Sequence, residues 1–533
     1  MDHDPGEPAA RGHAARARRP QRAARRVRRL GGPGRAPSAR RRRRARGGAR
    51  VGRRRAAGCV VTAAHASAAP FEVDWEHAAA ILPRYVEAGP RYTSYPTAPV
   101  WDAAYGAAAF REDLARLAER PGDPLSVYVH VPFCRSLCHF CACNRVITEK
   151  PELPARYLDA IAREVETVRS AAGVARPVSQ LHWGGGTPTH LAPEQIERLF
   201  SAVTGAFPLA AGAECSIEVD PRVTTARQVE TLAALGFTRI SLGVQDFDPV
   251  VQKAIHRVQS VEQTAELVAG ARAAGFHSVA FDLIYGLPYQ SEASMQRTLD
   301  RVLGLAPDRV ALYSYAHVTW VAKQQRGFER HDLPEPAAKL RILVDAIRRF
   351  LAAGYVYVGF DHFARPDDPL AAALAAGTLR RNFMGYTTQA GVDLVGFGPS
   401  AISELSGAYA QSARELGAWE AAVESGGLAT IRGHRLDADD RRRAWVIARL
   451  LCQGALEPAE YAARFGEPFA ERFAAELASL APLERDGLVE RGDGGRLALR
   501  PLGRLLARCV AMRFDAYLPA QQGGAQPLFS RTV

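Results

Sequence analysis

Ser126–Val–Tyr128–Val–His130–Val–Pro–Phe–Cys134–Arg–Ser–Leu–Cys138–His–Phe140–Cys141–Ala–Cys143–Asn144 is the stretch on which the fold turns. Its first six residues alternate Val with Ser, Tyr and His, a β-branched run of the kind that forms a buried strand. The remainder is a loop carrying four thiols, three of them at C-x3-C-x2-C. Thiolates at that spacing can wrap one face of a cubane iron–sulfur cluster, which needs four ligands. With only three supplied by protein, one iron stays open to a small molecule, and the cluster is catalytic rather than a closed electron carrier. The competing account is a structural zinc site using all four cysteines. Zinc motifs normally come as two separated pairs, however, and Cys141–Ala–Cys143 is too tight for easy tetrahedral chelation by both thiols.

Outward from this stretch a rhythm is legible. Short β-branched runs follow at 180–183, 214–219, 239–244, 279–284 and 309–315. Helix-like segments separate them at Pro154–Ser170, Pro193–Thr204, Ala226–Leu235, Val261–Ala274 and Glu292–Leu305. Ile196, Leu199, Phe200 and Val203 recur at helical spacing. Strand–helix alternation predicts an α/β fold with a parallel sheet, and six units suit a partial (β/α)6 barrel. Chemistry in such barrels sits at the C-terminal ends of strands. The cysteine loop, the run Gly184–Gly185–Gly186–Thr187–Pro188–Thr189, Glu218, Gln245, Asp282 and Ala316 all fall there.

The net charge of +13 suggests a nucleic-acid binder, but its distribution does not. Residues 1–55 hold 20 Arg against three acids, so this segment carries +17 and the rest of the chain about −4. Residues 1–75 form an Arg-rich extension with almost no aliphatic periodicity, expected to be disordered. An Arg-rich, acid-poor segment can be an RNA-binding arm or an organelle transit peptide; the preferred reading is upstream sequence carried in by a start-site error, with a start such as Val61 ahead of the body. The eight cysteines, four of them within ten residues, suit a reducing cytoplasm and one metal site rather than a disulfide scaffold. No apolar run is long enough to span a membrane.

Residues 76–124 are expected to pack on the catalytic domain, residues 125–430. Residues 431–533 are read as a mainly helical, winged-helix-like domain capping the active site. The order helix, Leu488–Val489–Glu490, Gly492–Asp493–Gly494–Gly495, Arg496–Leu497–Ala498–Leu499, helix carries that reading, without a basic recognition helix.

The cysteine spacing after a strand, Phe140 before the last ligand and the glycine run together resemble the radical S-adenosylmethionine (SAM) superfamily. Further segments narrow the resemblance: Tyr92–Thr–Ser–Tyr–Pro–Thr97, His182–Trp–Gly–Gly–Gly–Thr–Pro–Thr189, Leu242–Gly–Val–Gln–Asp–Phe247, Phe281–Asp–Leu–Ile–Tyr–Gly–Leu–Pro288, Asp361–His–Phe–Ala–Arg365 and Asn382–Phe–Met–Gly–Tyr–Thr–Thr–Gln389. In that order they resemble the oxygen-independent coproporphyrinogen III oxidase (dehydrogenase) family, from about residue 77 onward. The loop His317–Arg326 departs from the family pattern, beside Ala316.

The resemblance implies an oxidoreductase of haem biosynthesis with a [4Fe–4S] cluster on Cys134, Cys138 and Cys141. It would turn two propionates of coproporphyrinogen III into the vinyls of protoporphyrinogen IX, using a 5′-deoxyadenosyl radical from SAM. By motif, Tyr128, Gly185, Glu218 and Ile402 would serve one SAM. Phe140, Gly186, Thr187, Gln245, Arg257, Asp282 and Ala316 would serve a second. His130 and Cys143 are the candidate catalytic residues, Cys143 without being a cluster ligand. A cytoplasmic monomer is expected, fed by an external flavodoxin- or ferredoxin-like one-electron donor and emptied by an external acceptor. The alternative within the superfamily is a haem chaperone or a haem-degrading relative. Cys143 and the long C-terminal domain argue against the chaperone.

Overall fold

In the computed structural model six parallel strands lie side by side in chain order. They are β1 (Leu125–Val131), β2 (Val178–Gly185), β3 (Leu209–Val219), β4 (Arg239–Gln245), β5 (Ser278–Tyr285) and β6 (Arg309–Ser314). Residues 71–320, 322–328, 330–522 and 529 are described; the expected extension lies outside them up to residue 70. Helices α1 (Glu152–Ala172), α2 (Pro193–Ala206), α3 (Ala226–Ala234), α4 (Val261–Ala273) and α5 (Glu292–Leu305) connect β1 through β6, and α6 (Pro336–Ala352) follows. Each expected helix is present with its ends moved by at most two residues.

Local chemistry sets these boundaries. Thr225, Ser260 and Ser291 accept from the backbone N–H groups of Gln228, Gln263 and Ser294, so α3, α4 and α5 begin on side-chain caps. α1 ends where Gly173 turns left-handed at φ 66°. Six of the seven β1 residues are buried, the pattern of a strand covered on both faces.

The sheet is wider than the sequence reading. The hairpin β7 (Val356–Gly359) and β8 (His362–Ala364) adds to β6 antiparallel. On the far side β9 (Asp393–Phe397) pairs parallel with β1. Beyond it β10 (Ile402–Leu405), β11 (Ala408–Ser412) and β12 (Thr430–Arg435) continue antiparallel. The twelve strands end at β12 and β7, which do not pair with each other, so the sheet is open.

The C-terminal region carries helix α7 (Ala438–Gln453) and a small antiparallel sheet of Ala455–Leu456, Leu497–Leu499 and Val489–Arg491. A turn at Asp493–Gly495 joins the last two strands, in the winged-helix order. Two cores result. One joins the sheet to its helices and includes Tyr105, Phe110 and Leu114. The other gathers Val446, Leu450, Tyr461, Phe473 and Phe514 around Ile81, Tyr85, Tyr92 and Tyr95. The N-terminal segment therefore packs on both, its early part on the C-terminal region. Among the described residues no helix is long and apolar enough to cross a membrane.

Candidate active site

The cysteine loop leaves the C-terminal end of β1 and is fastened to the glycine run after β2. Gly186 N–H donates to the Val131 carbonyl (2.8 Å), and Thr187 N–H donates to the Phe133 carbonyl (2.8 Å). A Cβ on Gly186 would lie 2.6 Å from the Pro132 carbonyl oxygen, so this approach needs glycine. Gly185 has φ 113°, and its missing Cβ leaves room for the His130 ring.

Two cavities open at the strand ends. The larger, about 620 Å³, is walled by Cys134, Cys138, Phe140, Cys141 and Cys143 from the loop and by Gly185, Gly186 and Thr187 from the glycine run. Glu218, Gln245, Arg257, Asp282 and Ala316, from the later strands, complete the expected set there. The smaller, about 340 Å³, holds Tyr128, His130 and Ile402. All sixteen expected positions thus line one cavity or the other. Arg91, Glu218 and Tyr313 line both. No residue after Ile402 lines either, so the C-terminal region, read as a cap, does not itself form these walls.

The thiols sit in a graded environment. Cys138 is buried, Cys134 and Cys141 half-buried and Cys143 exposed. The guanidinium groups of Arg222 and Arg257 approach Cys138 Sγ at 3.4 and 3.5 Å. The hydrogen bond from Cys143 lowers the Cys141 thiol against the opposing effect of burial, helped by the charges of Arg145 and Arg257. The same bond, with crowding, pushes Cys143 up. Burial raises Cys134 to about 11, with the Thr187 hydroxyl opposing at 3.5 Å. Among the described residues no three His, Cys, Asp or Glu side chains converge on one ion site. Three thiols on one rim of a large chamber, one flanked by two cations, fit the donor set of a cubane cluster with an open position.

Around the thiols the polar groups are tied to one another. Glu218 accepts from Gly185 N–H (3.2 Å) and pairs with His182 (3.4 Å). Burial works to raise its carboxyl, but those two bonds outweigh it and hold the group below its ordinary range. Asp282, bonded to Ser241 at 3.3 Å, is pushed up to about 7 by burial and by the Glu218 charge. The two carboxyls are driven apart, one toward the anion and one toward the acid. Arg257 donates to Asp220 (3.0 Å) and to the Gly243 carbonyl (2.6 Å), while its Nε is buried without a partner. Gln245 adopts φ 65°, uncommon outside glycine.

His130 is boxed in. Its Nε2 faces the Asn144 carbonyl at 2.8 Å and its Nδ1 the Tyr128 hydroxyl at 3.1 Å, which selects the Nε2–H tautomer. Burial lowers its basicity. Both nitrogens are engaged, Nε2 on the end of the cysteine loop and Nδ1 on Tyr128 of β1, the geometry of a positioning residue.

Several wall residues lie outside the sequence-read set. Asp220 and Arg222 bind each other at 2.7 Å beside Cys138. They directly follow β3, where the strand-end rule places chemistry, and Asp220–Pro–Arg222 was the available signal. His182 stacks on Tyr128 at a centroid separation of 5.9 Å. Arg91, Arg381, Phe383 and Met384 reach the smaller cavity from segments whose sequence carries no strand–helix rhythm.

Residues 128–302 match the Radical SAM superfamily model, and residues 436–506 match the HemN C-terminal domain. The oxygen-independent coproporphyrinogen III oxidase of Escherichia coli (strain K12) is 44% identical over 462 residues, which is 87% of this chain and 99% of that protein. The enzyme of the same name from Synechocystis is 42% identical over 463 residues, 86% of this chain and 98% of that one. The solved structure of coproporphyrinogen III oxidase from Escherichia coli, described as a radical SAM enzyme, superposes with TM-score 0.77 over 80% of this chain and 97% of that one. With this identity over nearly the whole relative, the chain belongs to the oxygen-independent coproporphyrinogen III oxidase family.

Proposed function

We propose that this protein oxidatively decarboxylates two propionates of coproporphyrinogen III, giving protoporphyrinogen IX without oxygen. The observation that carries the reading is the convergence of all sixteen family positions on two adjoining chambers at the strand ends. Cys134, Cys138 and Cys141 would hold the [4Fe–4S] cluster. Tyr128, Gly185, Glu218 and Ile402 would hold one SAM; Phe140, Gly186, Thr187, Gln245, Arg257, Asp282 and Ala316 would hold a second. When bound, the reduced cluster and SAM supply a hydrogen-abstracting carbon radical.

The protein's own groups set the stage for that chemistry. Glu218, kept anionic by Gly185 N–H and His182, suits a cationic or hydroxyl-bearing ligand. Asp282, raised to about 7, can donate as well as accept a hydrogen bond. The Arg257 fork is already divided between Asp220 and Gly243, so it offers a ligand its charge and its unpartnered Nε rather than a free bidentate face. Buried apolar strands beneath the chambers, including Val129, Val219 and Leu283, exclude water from the floor. His130 acts by positioning. The acidic body suits a soluble cytoplasmic monomer reduced by an external one-electron donor.

The test is an anaerobic assay of reconstituted protein with SAM, a reductant and coproporphyrinogen III. Protoporphyrinogen IX together with 5′-deoxyadenosine supports the reading. Deoxyadenosine without vinyl product moves the substrate elsewhere in the superfamily. Neither product, from protein that holds its cluster, points to the chaperone-like relative.

A further inference from the structure

We propose that Arg381 is the receptor for a propionate carboxylate of the porphyrinogen, a role that rests on the function proposed above. Arg381 stands on one arm of a hairpin in which Arg380–Asn382 pairs with Gly385–Thr387. From there it reaches the wall of the smaller cavity. Its guanidinium lies against the rings of Phe360 and Tyr386, 4.7 and 4.9 Å from their centroids. Two aromatic faces fix the plane of the cation and strip it of water.

What the cation lacks is an acceptor. Nε and Nη1 of Arg381 are both buried, and neither has a hydrogen-bond partner. Among the described residues no acid pairs with it. The neighbouring carboxylate, Asp361, is taken by Arg91 at 2.8 Å. A buried charged donor without a partner is costly, and a guanidinium with no acid paired to it suits a carboxylate better than any other common group. His362, on the same wall, also keeps a buried Nδ1 without a partner. By contrast, Arg257 in the larger cavity is already engaged by Asp220 and Gly243.

Two kinds of carboxylate could reach this region, a propionate of the substrate and those of the two SAM molecules. The cysteines line the larger cavity and none lines the smaller. A SAM on the cluster would keep its carboxylate beside those cysteines, and every residue read for the second SAM, the Arg257 cation included, lines the larger cavity, which leaves the propionate for Arg381.

The experiment uses the full-length reconstituted enzyme and the variants R381Q and R381K. Two inert probes are titrated by fluorescence quenching: coproporphyrin III, which bears the carboxylates, and its tetramethyl ester, which does not. SAM binding is followed by equilibrium dialysis. R381Q is expected to weaken coproporphyrin III by about tenfold or more, which is about 1.4 kcal/mol. R381K should fall between, since lysine keeps the charge and loses the fork. The ester should bind all three proteins alike, and SAM affinity should not move. In turnover the defect should appear in KM ahead of kcat. Unchanged coproporphyrin III affinity in R381Q overturns the proposal. So does an equal loss for acid and ester, or a loss confined to SAM. A wild type that shows this Arg381-dependent binding yet forms no protoporphyrinogen IX would refute the proposed function and leave the carboxylate receptor standing.

Discussion

A methyl group on Gly186 would sit 2.6 Å from the Pro132 carbonyl oxygen and 2.8 Å from that of Phe133. Backbone atoms cannot yield as a side chain can, so Gly186→Ala should push the cysteine loop off the glycine run. The expected result is a folded protein whose reconstituted iron content falls by half or more, measured against total protein. The thiols allow a sharper contrast. Cys134→Ser, Cys138→Ser and Cys141→Ser should each abolish the cluster absorbance, whereas Cys143→Ser should keep iron and lose turnover. Retained absorbance in the first three variants would remove the ligand assignment, and iron loss in the fourth would make Cys143 a ligand. At this scale the sequence was informative where spacing is itself the chemistry, as in C-x3-C-x2-C. It was silent on Arg381, whose meaning comes from the ring of Tyr386 across the hairpin and that of Phe360.

Elements were readable when they repeated. α5 begins and ends where its apolar spacing predicts, and the six core strands follow the alternation with helices. β9 escaped because no helix follows it; its five buried residues make a run too short to tell from a loop turned inward. The strand after it has a titration consequence. Glu404 on β10 is half-buried, its Oε2 is buried without a partner, and loss of hydration with the nearby Asp393 charge raises its carboxyl to about 7. A carboxyl raised on folding is protonated in the native state and ionised in the unfolded chain between about pH 4.5 and 7. Its contribution is therefore full below the unfolded value and is lost as pH climbs through 7. Glu404→Gln should match wild type in thermal melts near pH 5 and exceed it at pH 8, by up to about 3 kcal/mol. Parallel melting curves for the two proteins across that range would show that Glu404 does not titrate on folding.

For the molecule as a whole, the C-terminal region works on the site at one remove. It lines neither chamber, yet the Tyr386 hydroxyl donates to the Leu451 carbonyl on α7 (3.2 Å), and Gln453 donates to the Leu379 carbonyl (2.8 Å). These bonds seat the hairpin that carries Arg381. Tyr85 and Tyr92 reach Asp486 and Asp515 across the second core. A chain ending before residue 436 would expose that core and should aggregate; a soluble, monomeric product by size-exclusion chromatography would show the region to be dispensable for folding. Arg91, Glu218 and Tyr313 face both chambers, so whatever fills one alters the wall of the other. Equilibrium thermodynamics then demands reciprocity: the factor by which SAM changes the affinity for porphyrinogen is the factor by which porphyrinogen changes the affinity for SAM, whichever arrives first.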